Sequence, residues 1–354
     1  MFEEAITFDD VYLLPGYNDI ASRRDVDLSP GLFGGYKIDL PIISSNMDTV
    51  TGPKMARKMI ELGGASILHR FCSIEDNVEM FTDVGDDSCG VSIGIGDRAL
   101  ERAQALYDVG ARTFCVDVAH GHSKAVGQTI KKMRDLFGRY AYIIAGNVAT
   151  EAGADYLASC GVDAIKVGIG PGSACTTRIK TGVGVPQITA IMNCRRVDRL
   201  IIADGGIRNP GDAAKALAAG ADVVMLGGQL AGTDETPGEV MYPGGWDKEM
   251  NVPNSKYYDL AALGFHKTFR GMASKEAQED FMGSMSDWKT SEGVVREVPY
   301  IGAVEDVIRD FAGGIRSAFT YVGAENMERF HRKAKFVRVT SAGRAEGEAH
   351  SKNV

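Results

Sequence analysis

Eight short runs of apolar, largely β-branched residues recur through the first two thirds of the chain, at 41–45, 65–68, 91–95, 113–117, 141–146, 164–168, 200–203 and 223–227,. Segments of helical period lie between them, such as 53–62, 98–109, 150–160 and 212–219, and a glycine often closes the helix, as at Gly63, Gly110, Gly161 and Gly220,. The repeating unit is strand, loop, helix, glycine. Strand centres fall about 23 to 28 residues apart, except between the sixth and seventh, where a gap of about 36 marks one enlarged βα loop,. Eight such units over roughly 190 residues predict an α/β fold of the (β/α)8 TIM-barrel type, with its chemistry at the carboxyl ends of the strands,.

A dinucleotide-binding sheet is the rival. Gly94-Ile-Gly96-Asp-Arg-Ala99 follows a strand and opens a helix, and Asp117 comes about 20 residues later,. That glycine run is the third of eight nearly equal repeats, however, and the rival would strand two βα units ahead of it. Beyond strand eight the periodicity fails, and glycine, proline and polar residues alternate with brief aromatic runs. Loops this long are functional or disordered, so about 232–300 is expected to form a flap,. A helix over 306–314 and a short pairing strand over 335–339 complete a single barrel domain spanning 1–340, and the polar stretch 341–354 is expected to be a flexible tail,.

With 44% apolar and 24% charged residues the chain can build a packed core, which excludes a disordered or fibrous class,. Its net charge of −8 argues against a broad electropositive face for nucleic acid or anionic lipid, so any anionic ligand must be held by local groups,. The opening MFEEAITFDD is acidic, and no apolar run approaches the roughly 20 residues that span a bilayer, so a cytoplasmic location with no membrane partner is expected,. Six cysteines without C-x-x-C pairs indicate neither a disulfide framework nor a zinc site,.

Chemistry should follow the strands. Strand seven ends in Asp204-Gly205-Gly206 and strand eight in Gly227-Gly228, where glycine lets backbone N–H groups approach phosphate oxygens,. Asp204 either accepts from a ribose hydroxyl or caps its own loop. The enlarged loop runs Gly168-Ile169-Gly170-Pro-Gly172-Ser173-Ala-Cys175-Thr176-Thr177-Arg178 and continues to Lys180. A cysteine amid glycines, hydroxyls and two cations is placed to ionise, which makes Cys175 the candidate nucleophile; the other five read as core or surface filler,. Carbonyls around Gly170 and Gly172 are able to coordinate a monovalent cation. His120 and His122, after strand four, read as solvent-facing.

These motifs, with Asn46-Met-Asp-Thr49, Asp117-Val118-Ala119 and Met225-Leu-Gly-Gly-Gln-Leu-Ala-Gly232, resemble the inosine-5′-monophosphate dehydrogenase and guanosine-5′-monophosphate reductase family over about residues 6 to 340. Most dehydrogenases of that family insert regulatory nucleotide-binding repeats after the second strand, and no such insert is present here. Their flap carries an adjacent Arg-Tyr pair that activates water, whereas the only such pair here is Arg139-Tyr140, ahead of strand five. Ser291-Glu-Gly293, Ile308-Arg-Asp310 and Gly313-Gly-Ile-Arg-Ser317 resemble the reductase branch, while Ala119-His-Gly-His-Ser123 and Val185-Pro-Gln-Ile-Thr-Ala190 read more like the dehydrogenase.

The resemblance implies reductive deamination of GMP to IMP and ammonia with NADPH, through a thioimidate on Cys175, with Thr177 and Glu292 relaying the proton. It implies Ser173, Gly206, Gly227 and Gly228 at the phosphate, Asp204 at the ribose, and Gly271, Met272, Lys289, Ser291 and Gly293 of the flap on the nucleotide. For NADPH it implies Ser22, Arg23, Arg70, Asp117, Val118, Ala119, Ile169 and Gly170. For potassium it implies Gly170, Gly172, Cys175 and Arg178, and for assembly a homotetramer. A dehydrogenase lacking the insert and a non-catalytic nucleotide sensor are the alternatives.

Overall fold

The computed structural model describes residues 3–242, 260–284, 288 and 290–347. Its centre is a closed barrel of eight parallel strands: β1 Ile42–Ser44, β2 Ala65–Leu68, β3 Gly90–Ile93, β4 Thr113–Asp117, β5 Tyr142–Val148, β6 Ala164–Val167, β7 Leu200–Asp204 and β8 Val223–Leu226. Neighbours in sequence are neighbours in space, and β8 closes the ring by pairing Val224, Met225 and Leu226 with Ile42, Ile43 and Ser44. All eight predicted strands are present, with ends shifted by two residues or fewer. Strand β2 passes through the helix Ile74–Val84 directly into β3.

The helices begin and end where local chemistry dictates. Ser73, Ser123, Thr150 and Asn209 cap their helices by accepting a backbone N–H near the first turn,. Gly161 and Gly220 stop theirs in the left-handed conformation,. Met55, Met59, Phe114, Ile130 and Phe319 are fully buried where helices pack on the strands.

Inside the ring, Ile43, Ile67, Cys115, Ile144, Ile202 and Val223 form a separate apolar cluster. A hairpin of Gly31–Phe33 and Tyr36–Ile38 seals its amino-terminal end: Phe33 and Ile38 join the cluster, and Thr113 donates to the Gly34 carbonyl at 3.3 Å. The barrel is therefore plugged below, and only the carboxyl-terminal mouth is free for chemistry.

Beyond β8 the predicted flap is built on an antiparallel ribbon, β9 His266–Arg270 and β10 Val295–Pro299, carrying the helix Lys275–Met282. Residues 243–259 and Lys289 lie outside the described residues. The helix expected over 306–314 runs longer, from Val304 to Val322, because its apolar face continues through Ile315, Phe319 and Val322. Phe336–Arg338 pairs with Val11–Leu13, as the strand over 335–339 was expected to pair. The polar stretch expected to be loose opens instead as a helix, Ser341–Glu346, capped by the Thr340 hydroxyl. Among the described residues no helix is long and apolar enough to cross a membrane.

Because Phe33 is 2% exposed and fills the barrel floor, Phe33→Ala is expected to cost about 3–5 kcal/mol of stability, read by urea denaturation,.

Candidate active site

The loops after β6, β7 and β8 meet at the mouth. A Cβ added at Gly205, which has φ +94°, would lie 3.1 Å from the Gly172 nitrogen, and one added at Gly228 would lie 3.0 Å from Ser173 Oγ. Asp204-Gly-Gly and Gly227-Gly228 thus lie against the cysteine loop, as a phosphate cradle requires.

The flap docks on the same loop through its backbone. Thr176 N–H donates to the Glu292 carbonyl at 2.8 Å, Val294 N–H donates to the Ala174 carbonyl at 3.0 Å, and Cys175 and Gly293 form an isolated bridge. The approach needs glycine: a Cβ on Gly271 would sit 2.8 Å from the Ala174 oxygen, while one on Gly293 would sit 2.8 Å from the Ser274 nitrogen within the flap itself,. Arg270 ties the ribbon to the loop after β1 through Asp48, with Nε at 3.0 Å from Oδ2, and Asp48 N–H lies 3.4 Å from Met272 Sδ. Ser291 Oγ donates to the Gly293 carbonyl at 2.9 Å, bracing the turn that presents Glu292.

Docking completes a relay. Cys175 Sγ lies 3.2 Å from Thr177 Oγ1, which donates to Glu292 Oε2 at 2.7 Å. The thiol's company differs from the sequence reading in one respect. Arg178 turns away and donates to the Val185 carbonyl at 2.6 Å, so the nearest polar partner is a hydroxyl aimed at a carboxylate. Burial pushes the thiols of Cys89, Cys115 and Cys194 up to about 12 and raises that of Cys72, which makes these four poor nucleophiles; Cys160 is buried,.

A second centre occupies the middle of the mouth, joining Asp117 and Asp204 through a lysine that sequence reasoning missed. Lys166 on β6 is buried and pairs with Asp117 Oδ1 at 2.9 Å and Asp204 Oδ2 at 3.0 Å. Burial opposes charge on the lysine, but the two carboxylates outweigh it and hold its pKa above the ordinary lysine range,. Burial likewise works to raise Asp117, yet Lys166 and Arg70 bring it below the usual carboxylate range. Asn147 Nδ2 donates to the same Asp204 oxygen at 2.8 Å, so Asp204 is a member of this network, and among the described residues no backbone N–H of its own loop donates to its carboxylate. The signal was a lysine in the centre of an otherwise apolar strand run, Ala164-Ile-Lys-Val167.

Arg70 donates to the Asp117 carbonyl at 3.2 Å, and its buried Nε has no partner. Val118 and Ala119 follow Asp117 toward the surface, and Ile169 and Gly170 open the cysteine loop. Ser22 and Arg23 are elsewhere: they lie in a turn, Arg23–Asp25 capped by Ser22, packed against the helix Val304–Val322, and among the described residues neither hydrogen-bonds to the mouth. His120 and His122 are exposed, as expected. A cleft of about 920 Å³ lies at the opposite pole beside Tyr142, Asp163, Arg199, Asp222 and His331. It is wide open and holds no nucleophile, so the chemistry is assigned to the mouth.

Two outcomes follow from this geometry. Gly271→Ala is expected to lift the flap from Ala174 and lower turnover about tenfold or more with little loss of stability, read by kcat together with faster proteolysis of the flap,. At mildly alkaline pH an alkylating reagent is expected to modify Cys175 well ahead of Cys89, Cys115 and Cys194, whose raised pKa leaves almost no thiolate, read by peptide mass spectrometry,.

The IMP dehydrogenase / GMP reductase domain profile matches residues 5–350. An inosine-5′-monophosphate dehydrogenase of Nitrosopumilus maritimus is 32% identical, over 99% of this chain and 98% of its own. GMP reductase 2 of Mus musculus is 38% identical, over 95% of this chain and 94% of its own. A crystal structure of a GMP reductase from Trypanosoma brucei in complex with guanosine 5′-monophosphate superposes with a TM-score of 0.87 at 28% identity, covering 99% of this chain and 98% of that one. With that profile matching residues 5–350 and these relatives aligned over nearly the whole chain, this chain belongs to the IMP dehydrogenase / GMP reductase family of nucleotide oxidoreductases.

Proposed function

We propose that this protein is a GMP reductase, converting GMP and NADPH to IMP, ammonia and NADP+. The observation that carries the choice of branch concerns the flap. It delivers Glu292 to the cysteine relay but carries no Arg-Tyr pair; the chain's only such pair, Arg139-Tyr140, lies in a turn before β5 at the opposite pole, with Tyr140 70% exposed. A hydrolytic branch would need a water-activating group over the thiol. The full-length match to GMP reductases supports the reading. So does the 479-position alignment with the dehydrogenase against 354 residues here, since that relative carries sequence this chain lacks.

In the proposed reaction the Cys175 sulfur bonds to purine C2. Its proton passes through Thr177 to Glu292 and returns to the exocyclic amine, which departs as ammonia and leaves a thioimidate on Cys175. NADPH, when bound, supplies the hydride to C2. Expulsion of the thiolate then releases IMP. Ser173, Gly206, Gly227 and Gly228 hold the phosphate, Asp204 accepts from the ribose, and Gly271, Met272, Ser291 and Gly293 close over the base.

Arg70, Asp117, Val118, Ala119, Ile169 and Gly170 form the cofactor side of the mouth, and the unpartnered Arg70 Nε fits a polar ligand there. Ser22 and Arg23, remote from the mouth of their own chain, fit a role only at a neighbour's site in a homotetramer. For potassium, the buried Thr176 hydroxyl has no partner, which fits a cation held by the carbonyls of Gly170, Gly172 and Cys175,. Arg178 is placed to brace that loop from behind, against Gly170 and Gly184.

A dehydrogenase lacking the insert is the second reading, favoured by the Nitrosopumilus match. Purified protein is expected to oxidise NADPH only when GMP is present and to release ammonia stoichiometrically. Cys175→Ser is expected to lower kcat by about 10³-fold or more and Glu292→Gln by about 10²–10⁴-fold. XMP formation from IMP and NAD+, with no GMP-dependent oxidation of NADPH, would select the second reading.

A further inference from the structure

One buried charge serves two carboxylates drawn from different strands. Lys166 stands on β6 with its side chain 4% exposed, while Asp117 at the end of β4 and Asp204 at the end of β7 remain 18% and 20% exposed. Its ammonium also lies 3.3 Å from Asn46 Oδ1 after β1 and 4.0 Å from Met225 Sδ on β8. Cys115 on β4 and Arg70 after β2 are the other titratable or charged groups facing the cluster. Both contacts to Asp204, from Lys166 and Asn147, fall on Oδ2, so Oδ1 keeps no protein partner among the described residues. An ammonium has three protons, and here they are divided among acceptors on opposite sides of the mouth.

We propose that Lys166 is a positioning residue that holds the two ligand subsites in register: a single ammonium aims Asp204 at the nucleotide ribose and Asp117 at the cofactor side, so neither carboxylate is set independently of the other. This rests on the reading of Asp204 and Asp117 as ligand-facing groups. With no ammonium between them, two carboxylates each within 3.0 Å of one point would repel, and Asp204 would lose the anchor that leaves Oδ1 free to accept from a hydroxyl,. The lysine itself touches neither the sulfur nor the base in this arrangement.

The test uses the full chain and compares GMP with 2′-deoxy-GMP and 3′-deoxy-GMP. Lys166→Met keeps much of the side-chain volume and removes the charge. It is expected to raise the KM for GMP and the KM for NADPH together, by about tenfold or more each, and to collapse the preference for GMP over the deoxy nucleotides toward unity, with Lys166→Arg restoring part of both. A folded Lys166→Met protein that keeps its ribose preference and both KM values within twofold, or that loses only kcat, overturns the inference. If Lys166→Met does not fold, Asp204→Asn carries the test: substitution on the nucleotide side is expected to raise the KM for NADPH as well, and an unchanged KM for NADPH overturns the coupling. Wild-type protein that turns over neither GMP with NADPH nor IMP with NAD+ overturns the underlying assignment of both aspartates, which separates that failure from failure of the coupling.

Discussion

Everything in this molecule follows from the pairing of β8 with β1. Residues 224–226 and 42–44 are the most distant neighbours in the barrel by sequence, and their parallel register closes the sheet,. Closure points all eight carboxyl ends the same way and removes every sheet edge. The loop after β8 then lies beside the loop after β1, which an open sheet with the same strands would not allow. The hairpin that plugs the floor with Phe33 leaves one mouth, and the chemistry has only that place to be.

The interior of the ring changes character along its axis. Its lower part is aliphatic, with Ile43, Ile67, Ile144 and Ile202. Higher up stands Lys166 with its aspartates. Burying an ammonium costs several kcal/mol, and breaking such a pair from one side commonly costs about 3–5 kcal/mol, so these groups make sense only as a complete set. Stability alone would favour apolar filling. Polar groups kept at this level, at the carboxyl-terminal mouth, fit the binding role proposed for the two aspartates.

The legible part of the structure was the part written in local pattern. Strand runs at near-equal spacing announced the barrel, and the Asp204-Gly-Gly, Gly227-Gly228 and cysteine-loop motifs, picked out by residue pattern, meet at its mouth. Three features escaped, each for a physical reason. Lys166 reads as an oddity inside a strand until the ring brings Asp117 and Asp204 to it from 49 and 38 residues away. Arg270 has no visible function until the flap folds back 222 residues to Asp48. The helix Ser341–Glu346 looks like loose polar chain because a six-residue helix has no apolar stripe to betray it; its Thr340 cap and the pairing of Phe336–Arg338 with Val11–Leu13 just before it supply what composition does not.

The relay explains why catalysis should wait for the flap. Cys175 and Thr177 belong to the barrel, but the acceptor that gives their hydrogen bonds a direction belongs to the flap, 115 residues beyond Thr177. With the flap away, the thiol faces only a hydroxyl, a weak acceptor that cannot take its proton. With it docked, the two bonds point from sulfur through oxygen to a carboxylate, so in the proposed reaction the thiol acquires its base only when the flap is closed,. The backbone bonds of docking, Thr176 to Glu292 and Val294 to Ala174, flank Cys175 in sequence on both sides. In the proposed reaction flap closure and thiol activation are therefore the same mechanical event, and a substitution that loosens the contact of Gly271 with Ala174 acts on the chemistry without touching a reacting atom.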